Sequence, residues 1–177
     1  TIKVIQVNVN SRITEIKEAI GLQKPISVIY NYNGYGYGVF PIDPNNLDKT
    51  PEIKDEVARA YSYINAYENT LTGKITVVKA FDVFVKGIAV EQNELIVKLL
   101  SNQLSSIFWD FLTIKQQVVA QAELEQLLFN KLQTELPSNI KKTIFGLFES
   151  IAYSKTGKEK LYQIWNKEIA IASLTLN

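Results

Sequence analysis

PIDPNNLDKTPEIKDEVARAYSYINAYENTLTG, residues 41–73, is where the chain changes its period. Residues 41–51 hold three prolines among Asn and Asp turn formers, the composition of a linker. Thr50 is placed to cap a helix, with Pro51 at its first position. Ile53, Val57, Ala60, Tyr61, Ile64, Tyr67 and Leu71 then mark one helical face, recurring about every 3.6 residues, and Gly73 closes it. Upstream of the linker, apolar residues recur every second residue instead.

That upstream pattern predicts β-structure. Residues 2–9 alternate through Val4, Ile5, Val7 and Val9; a second apolar run covers 26–32, and a third, YGVF, covers 37–40 before Pro41. The segment ITEIKEAIG between the first two fits a helical stripe as well as a strand. Such strands need a sheet partner to be stable. Between the last two runs lies NYNGYGYG (31–38). A phosphate cradle needs a glycine turn that opens a helix. Here the spacing is G-x-G-x-G, and an extended Val39-Phe40-Pro41 follows. The stretch therefore reads as a tight turn between strands, in which glycines accept positive φ or close backbone approach.

Downstream, the sequence predicts five or six amphipathic helices. One carries Val78, Phe81 and Val85 and stops at Gly87; a long one over 91–111 carries Leu95, Leu99, Leu100, Leu104, Ile107 and Phe108. The next, over 115–134, shows Val118, Val119, Ala122, Leu127 and Leu128. After Pro137 comes one with Ile140, Ile144, Leu147, Phe148 and Ile151, and after Thr156-Gly157 a last one with Leu161, Ile164 and Trp165. Short connections make neighbours pack, as a bundle or as a stack of helix pairs.

Composition narrows the chemistry. The 177 residues are 46% hydrophobic and 21% charged, with a net charge of +1 that recruits neither nucleic acid nor an anionic membrane. No run of about 18 or more apolar residues marks a membrane span. The absence of Cys removes disulfides, thiolate metal sites and thiol nucleophiles; the absence of His removes the commonest zinc ligand and general base. The absence of Met predicts a piece of a longer polypeptide. The expectation for this chain alone is no cofactor and no catalytic residue.

Glu52, Asp55 and Glu56 fall in the first turn of the first helix, where they complement its dipole. Glu123 and Glu125 are too close in sequence to share a helical face. Arg59 is one of two arginines, with Arg12. It reads either as a contact to a peptide substrate in a groove or as an ion pair with Asp55 or Glu56, the ordinary fate of a surface charge. Tyr61, Tyr67, Phe81, Phe84, Phe108, Phe111, Phe145 and Phe148 read as core.

Beyond pattern, the residues themselves carry a resemblance. NGYGYGVFPID (33–43), KDEVARAYSYINAYENTLTGK (54–74), ELIVKLLSNQLSSIFWDFL (94–112) and IFGLFESIAYSKTGKEKLYQIW (144–165) resemble, in order, the C-terminal part of bacterial zinc metallopeptidases of the aminopeptidase N family. The likeness runs over about residues 26–166. It implies a mostly α chain. Residues 1–40 would be a short antiparallel β piece from the end of a β-sandwich, 41–51 a linker, and 52–177 a HEAT-like right-handed superhelix of antiparallel helix pairs. It implies as partners an upstream catalytic domain of the same polypeptide, carrying HExxH and zinc, and a peptide substrate whose chamber the helices cap. No HExxH and no His occur here, so the resemblance transfers no catalytic or zinc-binding residue. Many relatives have G-Y-Y-R where this chain has Gly36-Tyr37-Gly38-Val39. The other expectation is a free-standing helical repeat module that binds a protein.

Overall fold

The computed structural model of the chain describes residues 5–24 and 28–174. It is mostly helical: α1 (Glu56–Leu71), α2 (Val77–Val90), α3 (Glu94–Ser106), α4 (Ile114–Leu132), α5 (Ser138–Ile151) and α6 (Lys155–Trp165). A π-helical turn, Ile107–Phe111, continues α3, and a 3-10 run, Pro44–Glu52, precedes α1. Local chemistry starts most of these helices. Thr76, Asn93 and Ser154 accept hydrogen bonds from the first-turn amides of α2, α3 and α6, and Thr113 forms a reciprocal capping box with Gln116 on α4.

The helices bury one another along two rows. Helix α3 packs on α5, α2 and α1, while α4 packs on α5 and α2, so α1, α3 and α5 neighbour in turn and α2 meets α4. Phe84, Phe108, Phe148, Leu100, Leu104 and Leu128 are fully buried between them. Each such side chain contributes about 1.5–3 kcal/mol by leaving water. The stripe expected on α5 is buried throughout.

Residues 44–51, expected as linker, are part of this body together with Glu52. The 3-10 run packs on α1 and α2 with Leu47 buried, and Asp48 pairs with both Lys79 and Lys86 of α2. The helix therefore starts later than the sequence suggests. Thr50 is buried rather than capping, and Asp55 caps α1 by accepting the Ala58 amide at 2.8 Å.

The β expectation finds no strand among the described residues of 1–40. Residues 1–4 and 25–27 lie outside the described residues, and the one regular piece elsewhere before residue 44 is a 3-10 turn, Lys17–Ala19. The physical reason is visible in exposure: Val9, Ile13, Ile20 and Val28 all face solvent. A period-two pattern becomes a strand only against a partner that takes its N–H and C=O groups and covers one face. The described residues 5–24 and 28–43 are called the arm below.

Candidate functional site

Arg59 sits at the fourth residue of α1, close to where the 3-10 run ends, and faces the turn between α2 and α3. Glu91 caps the end of α2 there, two residues before the Asn93 cap of α3. The guanidinium grips the carboxylate in two places, Nε to Oε2 at 2.7 Å and Nη2 to Oε1 at 3.1 Å. Its Nη1 donates to the carbonyls of Ile53 at 2.6 Å and Lys54 at 3.3 Å. Four of the five guanidinium N–H donors are thereby committed within the chain. Glu91 Oε1 also accepts the amides of Gln92 at 3.0 Å and Asn93 at 2.9 Å.

Both partners are removed from water, with side chains 12% and 5% exposed. Burial by itself favours the neutral acid at Glu91. The Arg59 hydrogen bond and the two amides outweigh it and hold the carboxyl below its ordinary range. Lys131 of α4 completes the knot, donating to the carbonyls of Ala89 at 3.1 Å and Glu91 at 2.9 Å. Burial lowers the Lys131 amine, and the Glu91 charge opposes that shift. Neither ion-pair partner expected from the sequence, Asp55 or Glu56, holds Arg59. Its partner stands 32 residues away.

A cleft of about 570 Å³ opens beside this knot, lined by Pro51, Glu56, Arg59, Glu91, Asn93 and Glu94 among others. One Nη2 hydrogen of Arg59 and the carboxylates of Glu56 and Glu94 give it polar anchoring groups. Among its named lining residues none is a Ser, Thr, Tyr or Lys nucleophile beside a base.

The glycine stretch is tied together within the arm. The Asn31 side chain donates to the Gly36 carbonyl at 3.0 Å and accepts the Gly36 amide at 2.6 Å. The Gly34 amide closes a turn onto the Asn31 carbonyl at 2.8 Å, with φ +70° at Gly34 and +139° at Gly38. This is the expected turn, without the expected strands. Just beyond it, Asn65 Oδ1 accepts the Phe40 amide at 3.0 Å and Asn69 Nδ2 donates to the Phe40 carbonyl at 3.0 Å. A second cleft of about 570 Å³ adjoins, lined by Tyr30, Ile42, Leu47, Ile53, Tyr61 and Asn65 among others.

A third polar cluster closes the far end. Glu125 of α4 is buried, accepting Gln121 Nε2 at 2.8 Å, the Ser154 amide at 3.2 Å and the Ser154 hydroxyl at 2.5 Å. Gly157 lies so close that a Cβ there would stand 2.7 Å from Glu125 Oε2. Glu123, its sequence neighbour, faces solvent. Among the described residues no group of three or more Asp, Glu, His or Cys side chains could hold a metal ion, and no helix is long and apolar enough to cross a membrane.

The sequence therefore pointed to Arg59 but not to Glu91, Lys131, Asn65, Asn69 or Glu125. The signal was present for three of them: Asn65 and Asn69 stand one turn apart, as do Gln121 and Glu125, in phase with the buried faces of α1 and α4. No protein-family model, curated protein or solved structure matches the chain.

Proposed function

We propose that this chain is the non-catalytic C-terminal part of a zinc-dependent aminopeptidase, its helices capping the active site of an upstream catalytic domain and shaping the peptide chamber. The four ordered segments that resemble that family carry this reading. The helical body supports it: α1 to α5, helices of 13 to 19 residues, alternate between two rows, as antiparallel pairs in a HEAT-like superhelix would. The arm fits the same picture. Val9, Val28 and Val39 of its apolar runs are exposed and Ile5, Val7 and Ile29 only half-buried, as the last strands of a β-sandwich would be when the rest of the sandwich is not beside them.

On this reading the zinc and the water it activates belong to the upstream domain, which would hydrolyse the amide. The present residues would act by excluding bulk and orienting peptide; Arg59 is the residue proposed to meet the peptide, through its one uncommitted N–H. The test is the complete reading frame. Expressed whole, it should contain HExxH, bind one zinc per chain and release the dye from an aminoacyl anilide. A frame without HExxH, giving a product with neither zinc nor turnover, would refute the proposal. The second reading, a helical module that binds a protein, would then lead; the exposed Val118 and Val119 of α4 and Trp165 of α6 favour it.

A further inference from the structure

We propose that the face of α1 carrying Asn65 and Asn69 is a binding site for an extended peptide with an aromatic side chain, which residues 37–43 of the chain itself now occupy. The inference is independent of the peptidase reading. It rests on how Phe40 is held. Both its backbone groups bond to side chains one helical turn apart, the amide to Asn65 and the carbonyl to Asn69. Those are the two groups that a neighbouring strand would satisfy, so the grip recognises extended backbone whatever the side chain.

The grip is built into the helix rather than made by its occupant. Asn69 Nδ2 also donates to the Asn65 carbonyl at 2.8 Å and approaches Asn65 Oδ1 at 3.2 Å, which fixes both amides in place. Both residues are buried with the arm in place, and the bonds within α1 restrain their rotamers independently of the occupant. The aromatic preference comes from Tyr61, whose ring meets Phe40 edge-on with centroids 6.1 Å apart.

The Tyr61 hydroxyl is buried and has no hydrogen-bond partner among the described residues, and Tyr61 lines the cleft that continues past Pro41 and Ile42. A buried hydroxyl without a partner is costly, and a longer or better-fitting peptide would satisfy it. The occupant is open on its upstream side: residues 33–39 are exposed, and Gly36 is tied within the arm by Asn31 rather than to the body, so a peptide can displace the segment from that end.

The experiment uses the full chain and a fluorescein-labelled peptide of sequence YGVFPID, read by anisotropy. Phe40→Ala removes the ring contact with Tyr61 while leaving the backbone grip, which weakens the chain's own occupant. This variant should bind the peptide roughly tenfold more tightly than the unaltered chain, since an occupied site lowers apparent affinity by the unoccupied fraction. The peptide YGVAPID keeps the backbone grip and loses the ring contact, so it should bind roughly tenfold more weakly. Asn65→Leu added to Phe40→Ala should abolish binding; if that variant fails to fold by circular dichroism, Tyr61→Leu in the same background takes its place. In the unaltered chain, excess peptide should speed hydrogen exchange at the Phe40 amide. The proposal is overturned if the Phe40→Ala chain binds no better than the unaltered one, if YGVAPID binds equally, or if the α1 substitution leaves affinity unchanged.

Discussion

The arm and the helical body have similar apolar residues and opposite fates. Ile13 and Ile20 of the arm are 86% and 68% exposed, whereas Ile88 and Ile144 of the body are fully buried. The difference is not in the residues but in what faces them. Body helices satisfy their own backbone groups and need only cover one stripe each. An extended arm must find both a hydrogen-bond partner and an apolar cover, and apart from the Asn clamp on Phe40 the described arm shows little of either. Apolar pattern is thus sufficient for a helix among helices and insufficient for a strand alone.

That contrast can be broken by substitution, beginning where the body is densest. Phe108 is fully buried against the rings of Phe81, Trp109 and Tyr153. Phe108→Ala should cost about 3–5 kcal/mol in urea unfolding. A loss below about 1 kcal/mol would mean that the body collapses around the gap.

Next comes the charged knot. Glu91→Gln should cost about 1–3 kcal/mol at neutral pH, because Arg59 loses its anion while remaining buried. Glu91 is held below its ordinary value of 4.5, so its contribution is complete above that value and is lost as the pH falls through the lower folded value. Unaltered and Glu91→Gln chains should therefore converge in acid; parallel stability curves down to low pH would show that the charge is not what stabilises. The Asp55 cap is smaller: Asp55→Ala should cost about 1 kcal/mol, read from the shift in thermal midpoint.

The smallest effects belong to the arm. Ile13→Ser and Ile20→Ser should change stability by no more than about 0.5 kcal/mol. A larger loss would show that these side chains are covered in solution. Gly36→Ala tests the seam between the regions. Its φ lies outside the left-handed region, but an added Cβ would stand 2.6 Å from the Phe40 ring tip. The ring end can swing aside, so the cost should stay below about 1 kcal/mol, and slower arm folding is not expected.

The helices were legible where burial is apolar and obscure where it is polar. On α5 every expected stripe residue is inside. On α4 the expected Val118 and Val119 face solvent, and the buried face runs through Gln117, Gln121, Leu124, Glu125, Leu128 and Lys131. On α1 the expected Val57, Ile64 and Leu71 are exposed, while Ala58, Ser62, Asn65 and Asn69 turn inward to meet the arm and α2. A rule that seeks apolar stripes must choose the wrong face of such helices, because their inner polar groups are satisfied only by chain from elsewhere in the fold. Gly87 misled in the same way. Expected to stop α2, it lies within the helix, where a Cβ would stand 2.5 Å from the Tyr63 hydroxyl. Arg59 was legible as a residue and not as a site, since its partner is brought near only by the packing of α1 against α2.

The inner face of α4 also fixes where that helix can stand. A purely apolar stripe can slide one turn along its neighbours, about 5.4 Å, and still be covered. Here Gln117 reaches the Phe108 carbonyl, Gln121 the Ile151 carbonyl, Glu125 the start of α6 and Lys131 the end of α2. A one-turn slip would strand all four at once, at about 1–3 kcal/mol each. Such a total rivals the whole stability of a domain this size, so α4 has a single address among its neighbours.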